Sequence, residues 1–217
     1  ARQWGGSTVI QMYFLWLQLM WQKGLNSLIV AQVKDTAETI RGMFEEALKN
    51  FPTKFLYDMG EAFSENEPKF VGVGTSGNVK KVPQRFCKIK VGSMERPLSA
   101  NGEDYNLVHL SEVGLWKKTD GKSPEEVVQN ATNGILYRPY TMIAYESTAN
   151  GTGNFFHKEW LAAVKGESQF EPFFVPWYEI YDMYHLEFES KKQKVEFAKW
   201  LYENRNNTNT MSDREEP

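Results

Sequence analysis

Hydrophobic positions fall into helix-like and strand-like runs that alternate along this 217-residue chain. From Val9 to Trp21 nearly every position is apolar, interrupted by Gln11 and Gln18 and followed by Gln22. The run is too short to cross a bilayer, which takes about 20 predominantly apolar residues. A helix apolar on most faces is normally buried on several sides, as one packed beneath a sheet is. Lys23-Gly24 stops it, and Asn26 to Val33 reads as a buried strand. Asp35 is expected to cap a helix running to about Asn50, with Glu38 completing a capping box. Helix, strand and helix in this order fit a mainly parallel sheet with crossover helices, provided that a strand precedes Ala1.

From Phe70 to Met94 short alternating segments, Val71-Gly72-Val73-Gly74 and Arg85 to Val91, predict strands near one edge of a sheet. A turn at Ser99 to Gly102 leads into an apolar strand, Tyr105 to Glu112, that ends in a carboxylate. Ser123-Pro124-Glu125-Glu126 opens a helix, with proline at its first position and acids in its first turn, that runs toward Gly134. Thr141 to Tyr145 is the next buried strand, ending in Glu146-Ser147-Thr148-Ala149-Asn150-Gly151. Asn154 starts a helix closed by Gly166, and Phe170 to Trp177, flanked by prolines, predicts an edge strand. Beyond Tyr178 the chain is acidic, aromatic and helical, with Val195, Phe197, Trp200 and Leu201 expected to pack; Asn204 to Pro217 reads as a frayed tail or linker.

Composition narrows the function classes. Aromatic content of 14% with seven tryptophans indicates a folded protein. A net charge of -3 gives no global attraction to nucleic acid, so any such contact needs a local patch. Lys80, Lys81, Arg85, Lys88 and Lys90, with Phe86 among them, form that candidate, although a solvated strand face reads the same. One cysteine, Cys87, excludes an intramolecular disulfide framework and fits a reducing compartment. Its place in an alternating run suits a core or edge residue, and the three histidines have no zinc-type spacing with it.

The chemistry begins at the first residues. In Ala1-Arg2-Gln3-Trp4-Gly5-Gly6-Ser7-Thr8 a glycine turn enters the first helix. Backbone amides there point outward with the positive end of the helix dipole behind them, an arrangement that cradles phosphates. Set against G-x-x-x-x-G-K-[ST], Gly5 takes the second glycine, Gly6 the lysine position and Ser7 the hydroxyl that ligates Mg2+. Arg2 can supply the charge that Gly6 lacks, binding phosphate oxygens bidentately. An ordinary helix N-cap reads the same in isolation. Two more polar strand ends accompany the loop, Ser111-Glu112 and Ser147 to Gly151, and in an open parallel sheet ligands sit beyond such carboxyl ends. Glu112 fits the carboxylate that orients water at a terminal phosphate, with an exposed strand-end acid as the bland alternative.

These residues resemble one family, the large terminase subunit of tailed bacteriophages, the ATPase that packages DNA into a procapsid. Arg2-Gln3-Trp4-Gly5-Gly6-Ser7-Thr8 is similar to its deviant phosphate loop, in which a basic residue near the start replaces or supplements the lysine. Val108-His109-Leu110-Ser111-Glu112-Val113 resembles its second motif, with serine where aspartate is commoner, and Glu146 to Gly151 followed by Gly153-Asn154-Phe155 resembles the third motif, which couples hydrolysis to movement. Phe173 to Tyr178 resembles the entry to a small lid subdomain.

The resemblance implies an α/β P-loop NTPase of the RecA-like class: a mainly parallel sheet with flanking helices, its first strand missing, and a small C-terminal lid. Residues 1–175 would be the ATPase core and 176–217 the lid and tail. It implies ATP and Mg2+ as cofactors, with Arg2 and Glu112 catalytic. Arg2, Gln3, Trp4, Gly5, Gly6, Ser7 and Thr8 would bind nucleotide, Ser7 and Ser111 would sit at the metal, and Ser147, Thr148, Ala149, Asn150 and Gly151 would couple. Its implied partners are double-stranded DNA, a portal protein, a small terminase subunit and further copies in a ring, in the host cytoplasm. The family's nuclease domain would lie beyond this chain. Two rival readings are a helicase-like motor and a prophage-derived fragment that keeps the fold without nucleotide binding.

Overall fold

The computed structural model describes residues 4–58, 70–96, 104–118, 123–136, 138–176 and 190–204. The chain divides into two compact units, 1–174 and 175–217. In the first, α1 (Gly6–Trp16) continues through a π-helical turn, Leu17–Trp21, into β1 (Ser27–Ala31), α2 (Lys34–Lys49) and the short α3 (Lys54–Asp58). A hairpin follows, β2 (Gly74–Ser76) and β3 (Val79–Val82), then β4 (Cys87–Ser93), β5 (Leu107–Ser111), α4 (Pro124–Thr132), β6 (Met142–Glu146) and α5 (Phe155–Val164). The strands form one sheet in the order β2-β3-β4-β1-β5-β6. β4, β1, β5 and β6 run parallel, and β2 and β3 extend one side antiparallel. The apolar runs at Leu28–Val30, Leu107–Leu110 and Met142–Ala144 therefore lie in one sheet, as their alternation with helices predicts.

Strand side chains point alternately to the two faces, and the burial follows that rule. Ile29, Ala31, Ile89 and Val91 pack with Leu15 and Leu19 and with Ala37, Ile40, Phe44 and Leu48 of α2. Leu28, Val30, Val108 and Leu110 pack on the opposite face with Val127 and Ala131 of α4, joined by Phe155 and Phe156 of α5. Helices thus cover both faces of a mostly parallel sheet.

Several expectations change. α1 buries Phe14 and Leu15 but turns an opposite stripe outward, so Val9 is 59% exposed rather than in the core. Tyr13, Trp16, Trp21 and Tyr140 touch ring to ring along that outer side. The interrupting polar residues Gln11 and Gln18 are fully buried. α2 has Val33 at its N-cap with no side-chain cap, because Asp35 already lies in the first turn and Glu38 pairs with Lys34 at 3.1 Å. No capping box forms. The segment 171–176 is not a strand; Pro172 and Pro176 lack the N–H a ladder needs, and Phe173 and Phe174 instead meet the rings of Trp4 and Trp160. β4 is internal, leaving only the β2–β3 hairpin at that edge.

The basic cluster is split, with Lys81 and Lys88 paired across β3 and β4 and Lys90 two residues along the same face. Arg85 is buried and its Nε donates to the Gln18 carbonyl at 3.1 Å, while Lys80 pairs with Glu45 at 3.5 Å. Cys87 lies in the core, where burial pushes its thiol pKa up to about 12, so it is neither ligand nor nucleophile near neutrality. In the second unit the described helix α6 (Lys191–Asn204) stacks Phe197 on Trp200, but Val195 is exposed rather than packed. The Leu201 side chain lies outside the described atoms.

Candidate functional site

The parallel register decides what meets at the sheet's carboxyl edge. His109 pairs with Ala144, and Ser111 with Glu146, so His109, Ser111 and Glu146 share the face that α1 covers. Ser7 and Gln11 are four residues apart on α1 and therefore face the sheet together. The Ser7 hydroxyl donates to Glu146 Oε1 in a short hydrogen bond. Ser111 Oγ donates to the same oxygen at 2.9 Å, and His109 Nε2 lies 3.0 Å from it. Gln11 Nε2 sits 2.9 Å from His109 Nδ1. A carboxylate only accepts, which makes Nε2 the protonated nitrogen and leaves Nδ1 to accept from Gln11. Gln11 and His109 are fully buried, and Gln11 Oε1 has no partner among the described residues.

One carboxylate thus joins the start of α1 to the ends of β5 and β6. Burial works to raise the Glu146 pKa; the hydrogen bond from His109, with those from the Ser7 and Ser111 hydroxyls, outweighs it and lowers the value. Gly6 sits against this carboxylate: a Cβ there would stand 3.4 Å from Oε2. Gly5, preceding the helix, has φ 84, a left-handed conformation suited to glycine. Thr8 turns away, its hydroxyl 3.4 Å from Met43 Sδ on α2. Trp4 is an exposed ring against Phe173, and Arg2 and Gln3 lie outside the described residues.

Beyond Ser111 the chain turns sharply. Glu112 is a non-glycine residue at φ 54 and caps a 3-10 turn, Val113–Leu115. Its Oε2 is buried without a hydrogen-bond partner among the described residues. Such backbone strain persists only where the surroundings hold it. Here Trp116 Nε1 donates to the Ser111 carbonyl at 3.1 Å, Gly114 N donates to Ser147 Oγ at 2.9 Å, and Asn150 Nδ2 donates to the Gly114 carbonyl at 3.0 Å. A Cβ at Gly114 would come within 2.8 Å of Ser147 Oγ and 3.0 Å of the Thr148 carbonyl, so the approach requires glycine. Asn150 also accepts at its carbonyl from Asn154 Nδ2 at 2.8 Å, and Asn154 caps α5 by accepting from the His157 amide. Ala149 and Gly151 are exposed parts of this strap, Gly151 with φ 72.

No protein-family model matches the chain, and no curated protein matches it significantly. Among solved structures, the large terminase ATPase domain of Thermus phage P74-26 aligns over 97% of this chain and 82% of that one, with TM-score 0.52 and 18% identity. The chain has the fold of a phage large-terminase ATPase domain. The bacteriophage HK97 large terminase aligns over 77% of this chain with TM-score 0.55 and 15% identity, and the aligned part is 32% of that protein. The sequence brings the strand ends at Ser7, Ser111-Glu112 and Ser147 to Gly151 together and includes Glu146 in the third motif, but assigns no site role to Gln11, His109 or Glu146. The i, i+4 spacing of Ser7 and Gln11, and the two-residue step from His109 to Ser111, were the available signals.

Two serine hydroxyls and a carboxylate are hard oxygen donors, which suit Mg2+. Among the described residues no group of three or more His, Cys, Asp or Glu forms a protein cage. The donors present therefore fit a cation that arrives with phosphate and water, the usual manner of Mg2+.

Proposed function

We propose that this chain is the ATPase motor domain of a terminase large subunit, hydrolysing Mg-ATP to drive viral double-stranded DNA into a procapsid. The observation that carries the reading is the junction of Ser7, at the start of α1, with Ser111 and Glu146, at the carboxyl ends of β5 and β6, within a terminase ATPase fold. An 11-residue helix preceded by a left-handed glycine presents free amides at that junction. Amides of Gly5 to Thr8 receive the phosphates, and Arg2 adds the charge that Gly6 does not; Gln3 and Trp4 complete the loop. Ser7 and Ser111 lie on the cation side, and bound Mg2+ would neutralise charge on the phosphate oxygens.

Glu112 orients and polarises the attacking water. Its strained turn and a buried oxygen without a hydrogen-bond partner among the described residues suit a group kept ready to accept a hydrogen bond. Ser147 to Gly151 sense the terminal phosphate: the strap grips the Glu112 turn at one end and the start of α5 at the other. Residues 176–217 act as the lid. The portal, small subunit, ring of copies and host cytoplasm follow from this motor role. No helix among the described residues is long and apolar enough to cross a membrane.

The test is hydrolysis. Glu112→Gln keeps size and hydrogen bonding but loses the anion, so it should retain Mg-ATP binding and lose about a hundredfold or more in rate. Arg2→Ala should weaken nucleotide binding as well. Parental turnover in Glu112→Gln would remove Glu112 from the mechanism.

A further inference from the structure

The described structure places no acid at the end of β5 except the strained Glu112, and the residue that faces α1 there is Ser111. A serine side chain is one heavy atom long beyond Cβ and carries no charge. Glu146, its register partner on β6, is longer and anionic, and it reaches both hydroxyls.

We propose that Glu146 is the carboxylate that holds the divalent cation of the nucleotide site, with His109 and Gln11 as its positioning residues; the inference rests on the ATPase reading. Three donors converge on Oε1, from Ser7, Ser111 and His109, which fixes the carboxylate's orientation. All three of these donors meet Oε1, and Oε2 lies beside Gly6, where a Cβ would stand 3.4 Å from it. His109 is held in turn by Gln11, so a fully buried pair sets the angle of a partly buried acid. Buried polar groups are costly unless hydrogen-bonded, and here the Gln11 to His109 to Glu146 chain supplies the bonds that hold both groups beneath α1. A single protein carboxylate cannot satisfy Mg2+, so cation binding should depend on nucleotide.

Mn2+ in place of Mg2+ provides a direct readout, because free Mn2+ is counted by electron paramagnetic resonance. The parent should bind Mn2+ only when ADP or a non-hydrolysable ATP analogue is present. Glu146→Gln should weaken Mn2+ binding by about tenfold or more, while nucleotide affinity in EDTA changes by less than about threefold; His109→Asn should give a smaller loss of the same kind, as for residues that orient metal ligands. Moving the acid back to β5, in Ser111→Asp with Glu146→Gln, should restore Mn2+ binding. If Glu146→Gln fails to fold, Glu146→Asp serves, with an intermediate loss expected from its shorter reach. Parental Mn2+ affinity in Glu146→Gln, or no recovery in the double variant, would overturn the assignment. Absence of nucleotide binding in the parent would instead overturn the ATPase reading.

Discussion

On the sheet face beneath α1 and α2, the β3–β4 half and the β5–β6 half share one every-second-residue rhythm. The first fills it with Val82, Cys87, Ile89 and Val91, all buried against α2. The second fills it toward its carboxyl end with His109, Ser111 and Glu146 beneath the start of α1. Both follow from strand alternation, yet on this face the strand positions of the first are apolar and those of the second polar. Gln11, which reaches His109, leaves a buried oxygen without a partner among the described residues, at about 1–3 kcal/mol for such a group. The β3–β4 strand positions pack as core, whereas the β5–β6 positions form a hydrogen-bonded cluster beneath the start of α1.

Ile89→Ala should break the comparison from the stable side. It deletes most of a fully buried side chain, and urea unfolding should show a loss of about 2–5 kcal/mol. Nucleotide affinity of the folded protein should stay at the parental value, and a large drop would mean that the two halves are not separable. Gly114→Ala attacks the other half. The added methyl would push into Ser147 Oγ and the Thr148 carbonyl, and overpacking of this kind costs about 1–3 kcal/mol. Hydrolysis should fall further than stability, because the Glu112 turn shifts; rates tracking only the folded fraction would argue against a coupled strap.

A smaller effect concerns acid. The Glu146 pKa is lowered from its ordinary value of 4.5 in the folded chain, so its ionised form contributes stability above that value and loses it as pH falls through the folded one. Denaturant midpoints measured between neutral pH and this acid range should decline in the parent and decline less in Glu146→Gln. Equal acid limbs would show that the hydroxyl and imidazole contacts do not favour the charged form.

Much of the architecture was legible because its signals are local. The strands around Leu28, Val108 and Ile143 declare themselves as apolar runs, and Ser123 and Asn154 cap the helices they precede, accepting from the Glu126 and His157 amides. Glu146 was harder because its partners depend on the Ser111↔Glu146 register, a pairing between residues 35 apart in sequence. Gln11 read as an interruption in an apolar helix, whereas it is the inward residue that reaches His109. The described part of the expected strand, 170–176, is not a strand: two prolines and outward phenylalanines favour ring contacts over a ladder.

The central claim is that phosphates bind where α1 begins and Glu146 joins it to β5 and β6. The most direct measurement is a structure of the protein determined with Mg2+ and a slowly hydrolysed ATP analogue. The account predicts the triphosphate on the amides of Gly5 to Thr8, with the cation between it and Ser7 and Glu146. Nucleotide density at another edge of the sheet, or a cation with Glu146 turned away from it, would contradict the account.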